Sequence, residues 1–361
     1  MDGFEGYIKQ LVLRMVEEQP THQFFFLSDE PLDFKTTLPA NVTVATLGSA
    51  GKQGVLQKYW LDVKLPLWLR KIKANLVINL DGTASLTTKL PQCVLLPDLC
   101  YQQSSAAYTP VMRAFYKRWM PRFLQKARLV LLPSVFLQSE ILKKYRIDQH
   151  KTALLPAAVP ERFQPVGYEL KESVKAIFAQ GQEYFLYKGP LHEDYNLVNL
   201  LKAFSFFKKR QQSSWKLVLA GAFAEENSSF QQLLETYKYK EDIVVTGPLG
   251  ATEEAELVAA AYVLISPSVA ETVDTAVWEA MQCGVPVLAA STATNKELFG
   301  DSVRVFDGNH PTNMAEWIMH LYRQEEERSV YIERGKVHVK TLSWKGATNT
   351  LWQSVVQAAN T

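Results

Sequence analysis

Short apolar runs recur along almost the whole chain, and stretches with helical periodicity separate them. The runs cover 22–27, 42–47, 74–80, 93–96 and 129–132 in the first half, and 184–187, 216–220, 243–246, 262–265, 285–289 and 303–306 in the second. They are near-continuous in Val, Ile, Leu and Phe, as is typical of parallel strands buried on both faces. Helical patterns lie between the later runs, at 197–210, 230–238, 253–260, 275–283 and 314–323. This alternation predicts βαβ units and an α/β fold with doubly wound sheets.

The length of 361 residues predicts two domains, because one hydrophobic core rarely serves so long a chain. The segment PAAVPERFQPVGYEL, at 156–170, is rich in proline and has no periodicity, so we expect the boundary there. We assign one Rossmann-like domain to 1–165 and a second to 166–342. Ligands of such sheets bind outside the carboxyl ends of the strands, and the expected site is the cleft between the domains.

Composition excludes several classes of protein. A hydrophobic content of 47% and a charged content of 21% are typical of a globular protein. The three cysteines have no metal-ligand spacing, so we expect reduced thiols in a cytoplasmic protein and no metal. The N-terminus has no secretory pattern, and no apolar run reaches the length of a membrane span, so any membrane contact is expected to be peripheral.

One stretch near two thirds of the chain carries a candidate site. In SPSVAETVDTAVWEAMQCGVPVLAA, at 266–290, Glu271 and Glu279 stand eight residues apart. The pattern puts Glu271 on the loop after a strand and Glu279 in the helix that follows. Carboxylates accept hydrogen bonds from neighbouring sugar hydroxyls, and the helix N-terminus between them favours an anion. Spacing alone allows a capping or solvated pair equally well.

Local signals give the bounds of that helix. Pro267 cannot continue a central strand, so the preceding strand ends there. Asp274 or Thr275 is suited to cap the start of the helix, and Gly284 is suited to end it.

The same stretch resembles the donor-site signature of the family 4 retaining glycosyltransferases, which have the GT-B fold. That signature has Pro-Ser, a glutamate, a Gly-Phe-Gly loop, a second glutamate, Ala-Met and Gly-x-Pro-Val. Other segments resemble the family in the same order along the chain, namely LLPDLCYQ (95–102), ARLVLLPSVFLQSEIL (127–142), LLPAAVPERFQP (154–165), YFLYKGPLHEDYNLVNLLKAF (184–204), KLVLAG (216–221), VVTGPLGATEEAELVAAA (244–261) and SWKGATNTLWQSVV (343–356). The resemblance implies an acceptor-type domain over 1–165, a donor-nucleotide-binding domain over 166–342, and a final helix over 343–361 that crosses back to the first domain.

The family resemblance also implies a function. It implies a hexosyl-type retaining transferase of polysaccharide biosynthesis, which moves a sugar from a nucleotide-sugar donor to a glycan or lipid-linked acceptor. No metal or other cofactor is expected. Glu271 would be the catalytic residue that holds the donor sugar, and Glu279 would hold the ribose. The other implied donor-binding residues are Lys188, Gly189, His192, Asp274, Thr275 and Ala276, and Asp98 lies on the acceptor side.

The sequence departs from the family where phosphate is bound. Pro190 and Tyr195 replace the family's Arg and Lys, which neutralise the diphosphate leaving group. Such preorganised charge is usually a large catalytic term. The glycine loop has become Thr272-Val273-Asp274, and Asp274 at the helix N-terminus would repel an anion.

Further departures leave the activity open. Pro97 stands where the family has a histidine, and the strand expected before 3–16 is missing. One interpretation of Lys188 is that it compensates for the lost Arg by reaching a phosphate, but a solvated or strand-end lysine is the favoured interpretation. The alternative to an active enzyme is a non-catalytic GT-B pseudoenzyme or scaffold that binds a nucleotide or a glycan.

Positive charge is concentrated in the first half of the chain. Residues 1–165 carry a net charge of about +8 and the remainder about −6. The segment at 108–130 has six basic and no acidic residues among interleaved aromatics, and 60–73 is similar but weaker. Either the aromatics pack on the sheet, which is favoured, or the helix lies on an anionic membrane, at the inner face of the cell membrane. No nucleic-acid-binding motif accompanies the charge, so nucleic acid is not an expected partner.

Overall fold

A computed structural model describes residues 3–31, 37–48, 54–102, 108–223 and 228–360. The chain divides into two units. The N-terminal unit is Ile8–Ala157 with Trp344–Thr361, and the C-terminal unit is Ala158–Ser343 with the start of the chain up to Tyr7. The division therefore falls before Ala158, and the expected boundary at 165/166 lies inside the C-terminal unit.

The N-terminal unit is built on short parallel strands. Its elements are α1 (Gly3–Glu17), β1 (Phe24–Ser28), β2 (Val42–Thr46), α2 (Gly54–Tyr59), a π-helical turn (Trp60–Lys64), α3 (Leu65–Lys71), β3 (Val77–Asn79), β4 (Gln92–Leu95), α4 (Pro110–Lys126), β5 (Leu129–Leu132), α5 (Val135–Tyr145) and β6 (Thr152–Leu154). The described strands form a four-stranded sheet, β3-β4-β5-β6, and a two-stranded sheet, β1-β2. All of the pairings are parallel.

The aromatic face of α4 packs on the core of this unit. Phe115, Tyr116, Met120 and Phe123 are all buried among the residues of that core. Packing of these aromatics on the sheet, the favoured interpretation, is therefore confirmed.

Two expectations for this unit are wrong in detail. The runs at 22–27 and 42–47 do form strands, but β1 is half-buried throughout and β2 has exposed residues. They are not buried on both faces, because in the described chain β1 and β2 pair with each other alone. Strand β6 was not predicted, since it is three residues long and ends just before Pro156.

The C-terminal unit contains the longer alternation. Its elements are α6 (Tyr168–Ala179), β7 (Tyr184–Lys188), α7 (Leu197–Gln211), β8 (Lys216–Ala220), α8 (Ser229–Thr236), β9 (Ile243–Val245), α9 (Ala251–Ala260), β10 (Val263–Ser266), α10 (Thr275–Gln282), β11 (Val287–Ala290), α11 (Ala293–Phe299), β12 (Arg304–Phe306), α12 (Pro311–Arg323) and α13 (Glu325–Val339). The parallel sheet has the order β12-β11-β10-β7-β8-β9. Every residue of β7, β8, β10 and β11 is buried, so the predicted doubly wound α/β fold is confirmed.

The strand order of this sheet changes direction between β7 and β10. From β7 the chain moves outward to β8 and β9, then returns to place β10 on the other side of β7. Ligands of open α/β sheets bind at such a switch point, beyond the carboxyl ends of the strands. The expected site therefore lies beyond Lys188 and Ser266, the last residues of the two strands.

The last helix, α14 (Trp344–Asn360), packs against β4 of the N-terminal unit. Ala347, Leu351 and Val355 are buried on it. The Cys93 thiol donates to the carbonyl of Ser354, with a sulfur–oxygen distance of 3.8 Å. No disulfide joins the three cysteines, all of which are described, and burial raises the pKa of Cys93 and of Cys283 to about 12. Within the described ranges no helix is long and apolar enough to cross a membrane.

Two glycines allow the ends of β7 and β8 to approach each other. The amide of Gly189 donates to the carbonyl of Ala220 at 3.0 Å. A Cβ on Gly221 would lie 1.9 Å from the carbonyl oxygen of Gly189, a backbone atom that cannot swing away. Glycine is therefore required at 221 by backbone packing.

We predict that Gly221→Ala lowers the free energy of unfolding by about 1–3 kcal/mol, as overpacking against backbone does. Gly167→Ala is the comparison, because a Cβ there meets nothing within 4 Å. Urea unfolding of both variants measures the difference, and an equal loss in the two would contradict the packing explanation.

Candidate functional site

The carboxyl ends of β7 and β10 bring the predicted site residues together. Lys188 ends β7, and Gly189 begins the loop that follows it. Glu271 lies on the loop after β10, and Glu279 lies in α10. The fold thus places the residues of two distant segments at one edge of the sheet.

Lys188 is the centre of a buried ion-pair network. Its Nζ donates to Glu279 Oε2 and lies 3.1 Å from Glu254 Oε1, on α9. Lys188 is only 9% exposed, and each glutamate is 5% exposed. The favoured interpretation was a solvated or strand-end lysine: Lys188 does end its strand, but it is buried and not solvated. The Lys188 ammonium group is thus paired with two buried carboxylates, those of Glu279 and Glu254.

Arg162 and Phe163 complete this network. The Nη2 atom of Arg162 lies 3.4 Å from Oε2 of Glu254. The Phe163 ring is fully buried, with Lys188 Nζ 5.0 Å and the Arg162 guanidinium 4.7 Å from its centroid. We call these five residues, Arg162, Phe163, Lys188, Glu254 and Glu279, the Lys188 cluster. Two cations and two carboxylates balance its charge.

Burial and ion pairing act in opposite directions on the charges of this cluster. Burial lowers the pKa of Lys188, but the carboxylates of Glu279 and Glu254 outweigh it, and the pKa is raised overall. Burial raises the pKa of Glu279, and Lys188 only partly opposes that rise. Lys188 therefore stays charged at neutral pH, and it is the group that makes a charged Glu279 tolerable inside the protein.

Asp274 caps α10, as predicted. Its Oδ1 accepts the amide of Ala276 at 3.0 Å, and its Oδ2 accepts the hydroxyl of Ser266 at 2.5 Å. Burial raises the pKa of Asp274, while these hydrogen bonds and Lys188 pull it down. Thr275 is half-buried and Ala276 is buried, at the first turn of the helix. The helix N-terminus is therefore already occupied by a carboxylate of the protein.

Glu271 is held in the same way by the next helix. Its two carboxylate oxygens accept the amides of Ala293, at 2.9 Å, and Thr294, at 2.8 Å, in the first turn of α11. The residue is half-buried, and a carboxylate has further lone pairs beyond those two bonds. The sequence could not distinguish a ligand-binding pair from a capping pair. The structure shows that Glu271 caps a helix, whereas Glu279 pairs with Lys188.

His192 and Gly189 serve the loop between β7 and α7. His192 Nδ1 accepts the amide of Asp194 at 3.1 Å and caps the 3₁₀ turn Glu193–Tyr195. A Cβ on Gly189, whose φ is +155°, would meet the Tyr187 hydroxyl at 2.7 Å. Both residues have structural roles in the loop.

Asn196 was not predicted as a site residue, yet it connects two other loops at this edge of the sheet by hydrogen bonds. Its side-chain amide donates to the carbonyls of Pro267 and Gly308, each at 2.8 Å. Its backbone is left-handed, with φ of +64°, which asparagine tolerates better than most residues. The available signal was an Asn directly before an apolar helical run.

Glu254 and Arg162 were also missed. Glu254 lies on the buried face of α9 beside Ala255, Leu257 and Val258. A glutamate on an apolar face needs a partner, and that pattern was the signal in the sequence. Its partner Lys188 is far away along the chain, and no local pattern could name it.

Asp98 lies in the other unit, after β4. It is half-buried, and burial raises its pKa. Its Oδ1 accepts the amide of Cys100 at 2.7 Å and the hydroxyl of Tyr108 at 3.4 Å. In the described part of the chain no three His, Cys, Asp or Glu residues are grouped as metal ligands.

We predict that Lys188→Met destabilises the protein by about 3–5 kcal/mol at neutral pH, because it leaves Glu279 and Glu254 charged and buried. Without the lysine the pKa of Glu279 rises further, so the folded state binds a proton that the unfolded state releases. Part of the lost stability should therefore return on acidification.

Urea unfolding at neutral and mildly acidic pH tests this prediction. Lys209→Met, at an exposed lysine on α7, is the control and should change stability little. A Lys188→Met protein as stable as wild type at neutral pH would show that the ion pair is not structural.

Residues 170–338 match the family model of glycosyl transferases group 1. Over 67% of the chain, the sequence is 26% identical to the O-antigen chain mannosyltransferase B of Escherichia coli. The chain spans somewhat less than two thirds of the length of that relative, with 64% covered.

Solved structures agree on the fold. WaaG, a glycosyltransferase of lipopolysaccharide biosynthesis, superimposes with a TM-score of 0.80 at 13% identity, over 97% of this chain and 95% of WaaG. HepE of Anabaena, in complex with UDP and glucose, gives a TM-score of 0.70 at 13% identity, over 93% of this chain and 99% of HepE. The protein therefore has the GT-B fold of glycosyltransferases. Residues 170–338 of its C-terminal unit match the group 1 model, and the predicted resemblance is confirmed.

Proposed function

We propose that the protein is a retaining glycosyltransferase that moves a hexose from a nucleotide-sugar donor to a glycan or lipid-linked acceptor. The observation that carries this proposal is the pair Glu271 and Glu279, at the switch point of a sheet that belongs to a group 1 domain. Glu271 would accept hydrogen bonds from the hydroxyls of the donor sugar with its remaining lone pairs. Glu279 would receive the ribose, and Asp98 would serve the acceptor side.

The names of the relatives support the same substrate class. HepE is described with UDP and glucose, and the E. coli relative is a mannosyltransferase of O-antigen chains. By analogy we propose a nucleotide-sugar as co-substrate and a surface polysaccharide as product, with the reaction on the cytoplasmic side and without a metal.

A second candidate function has its own observation. Three groups that could bind a diphosphate are already paired with carboxylates of the protein: Lys188 with Glu279, the start of α10 with Asp274, and the start of α11 with Glu271. A ligand phosphate would have to displace one of them. This favours a non-catalytic GT-B protein that binds a glycan or only weakly binds a nucleotide.

Nucleotide titration separates the two candidates. For the transferase we expect calorimetric heat with one of the diphosphates of uridine, guanosine, adenosine or thymidine, and about tenfold weaker binding in Glu279→Gln, because a buried acceptor of ribose hydroxyls is altered. Glu326→Gln, at an exposed glutamate on α13, is the control and should bind as wild type.

Absence of heat with all four diphosphates would contradict the transferase. Binding without transfer or donor hydrolysis would instead support the second candidate. Retention is tested separately, by the anomeric configuration of any product.

We also propose peripheral contact with an anionic membrane, through the N-terminal unit. Lys58, Arg118 and Arg122 surround the Trp119 ring, at 4.5, 5.3 and 4.9 Å from its centroid. Burial and then Arg122 lower the pKa of Lys58, which also forms an ion pair with Asp62. Arg118 and Arg122 are therefore the exposed positive charges beside this ring. Exposed apolar residues follow the neighbouring helices at a spacing of four, namely Val55, Tyr59, Val63 and Leu67. Basic charge beside an apolar stripe suits an anionic bilayer surface.

Liposome flotation tests the membrane contact. Wild type should float with phosphatidylglycerol vesicles, and Arg118→Glu with Arg122→Glu should abolish flotation, because both charges are reversed. Lys209→Glu with Lys240→Glu in the C-terminal unit is the charge-matched control and should float. Unchanged flotation of the first double variant would contradict the proposal.

A further inference from the structure

Besides the candidate site at Glu271 and Glu279, the N-terminal unit contains a cavity of its own, which we call the second cavity. Its volume is about 530 Å³, in the range of pockets that hold small ligands. Three elements line the cavity. The 3₁₀ turn after β4 contributes Tyr101 and Gln102, α4 contributes Lys117, and the end of α5 contributes Lys144, Tyr145 and Arg146.

Hydrogen bonds fix the polar wall of this cavity. The hydroxyls of Tyr101 and Tyr145 are 2.5 Å apart, and Gln102 Nε2 donates to the Tyr145 hydroxyl at 3.2 Å. Lys144 Nζ in turn donates to Gln102 Oε1. Burial raises the pKa of Tyr101 and of Tyr145, so both hydroxyls keep their protons at neutral pH. The wall therefore offers hydroxyl, amide and ammonium groups in one connected arrangement.

The charge of the cavity is entirely positive. Lys117, Lys144 and Arg146 line it, and no carboxylate is among the described residues that line it. The carboxyl end of α5 contributes about half a negative charge at most, which three cations exceed. Arg146 has a left-handed backbone, with φ of +51°, and follows the last turn of α5. An anion is therefore the complementary ligand.

We propose that this cavity is a binding site for an anionic sugar, a saccharide unit that carries a phosphate or a carboxylate. The three cations would bind the anionic group. Tyr145 and Gln102 would exchange hydrogen bonds with the sugar hydroxyls, Tyr101 would hold the Tyr145 hydroxyl in place from within the core, and the volume exceeds what inorganic phosphate alone would fill. The site is additional to the one at Glu271 and Glu279, and it does not depend on whether the chain transfers sugar.

The experiment titrates the full chain with glucose 6-phosphate and with glucuronate, with calorimetry or heteronuclear NMR as readout. Glucose and inorganic phosphate are the comparison ligands. We expect one of the two anionic sugars to bind, and Lys144→Gln with Arg146→Gln to weaken that binding about tenfold, since two exposed charge contacts are lost. Lys143→Gln, one residue away on the same helix and outside the lining, is the matched control and should leave binding unchanged.

Tyr145→Phe separates sugar from bare anion. This variant should weaken binding of the anionic sugar and leave binding of inorganic phosphate unchanged, because it removes a hydroxyl and no charge. The proposal is overturned if neither anionic sugar binds, if inorganic phosphate binds as tightly as the sugar, or if Lys143→Gln weakens binding as much as the double variant. A further outcome would also overturn the proposal. If the protein binds phosphatidylglycerol vesicles but no sugar, and the double variant loses the vesicle binding, the cavity recognises a lipid surface.

Discussion

The buried pairing of Lys188 with Glu279 and Glu254 is the interaction on which the candidate donor site depends. A single buried carboxylate is costly, and the cost is offset only by a partner that is itself held in place. Lys188 provides that partner because it ends a fully buried central strand, and Phe163 and Arg162 enclose the charges from the other side. The position of α10, which carries Glu279, is thus linked to the end of β7 and to α9. Loss of the lysine would affect three elements at once.

The same principle extends to the rest of the site. Asp274 and Glu271 each accept amide hydrogens at a helix start, where a ligand phosphate would otherwise find its donors. The carboxylates that resemble hydroxyl-binding residues of the family are therefore also counter-charges for the groups that would bind phosphate. With Pro190 and Tyr195 at the positions of the family's cations, a donor diphosphate would need contacts that the protein now makes with itself. If the chain is the transferase proposed above, this arrangement favours weak or altered donor use.

The sequence predicted the parts of this arrangement that depend on local order. Apolar runs located β5 and β8 to the residue, and the Asp274 cap and the end of its helix followed from residue type alone. The Lys188 cluster could not be predicted, because its members lie on segments far apart in the chain and meet only once the sheet has its switch point. Lys188 at a strand end looked like a solvated lysine for the same reason. The incomplete burial of β1 and β2 was missed because an apolar run in the sequence does not show which strands pair.

Charge is distributed differently in the two units, and this bears on where ligands are recognised. In the C-terminal unit Lys188 is buried and faces carboxylates, and Lys175, Lys208 and Lys216 are likewise paired. In the N-terminal unit Arg118 and Arg122 beside Trp119 and the cations of the second cavity are exposed, and the described residues that line that cavity include no acid. Lys58, by contrast, is half-buried and paired with Asp62. Paired charges stabilise a fold, whereas a group of exposed like charges raises the free energy of the protein until an anion binds. The excess of positive charge in the first half of the sequence is therefore in keeping with the proposed recognition of an anionic partner by the N-terminal unit.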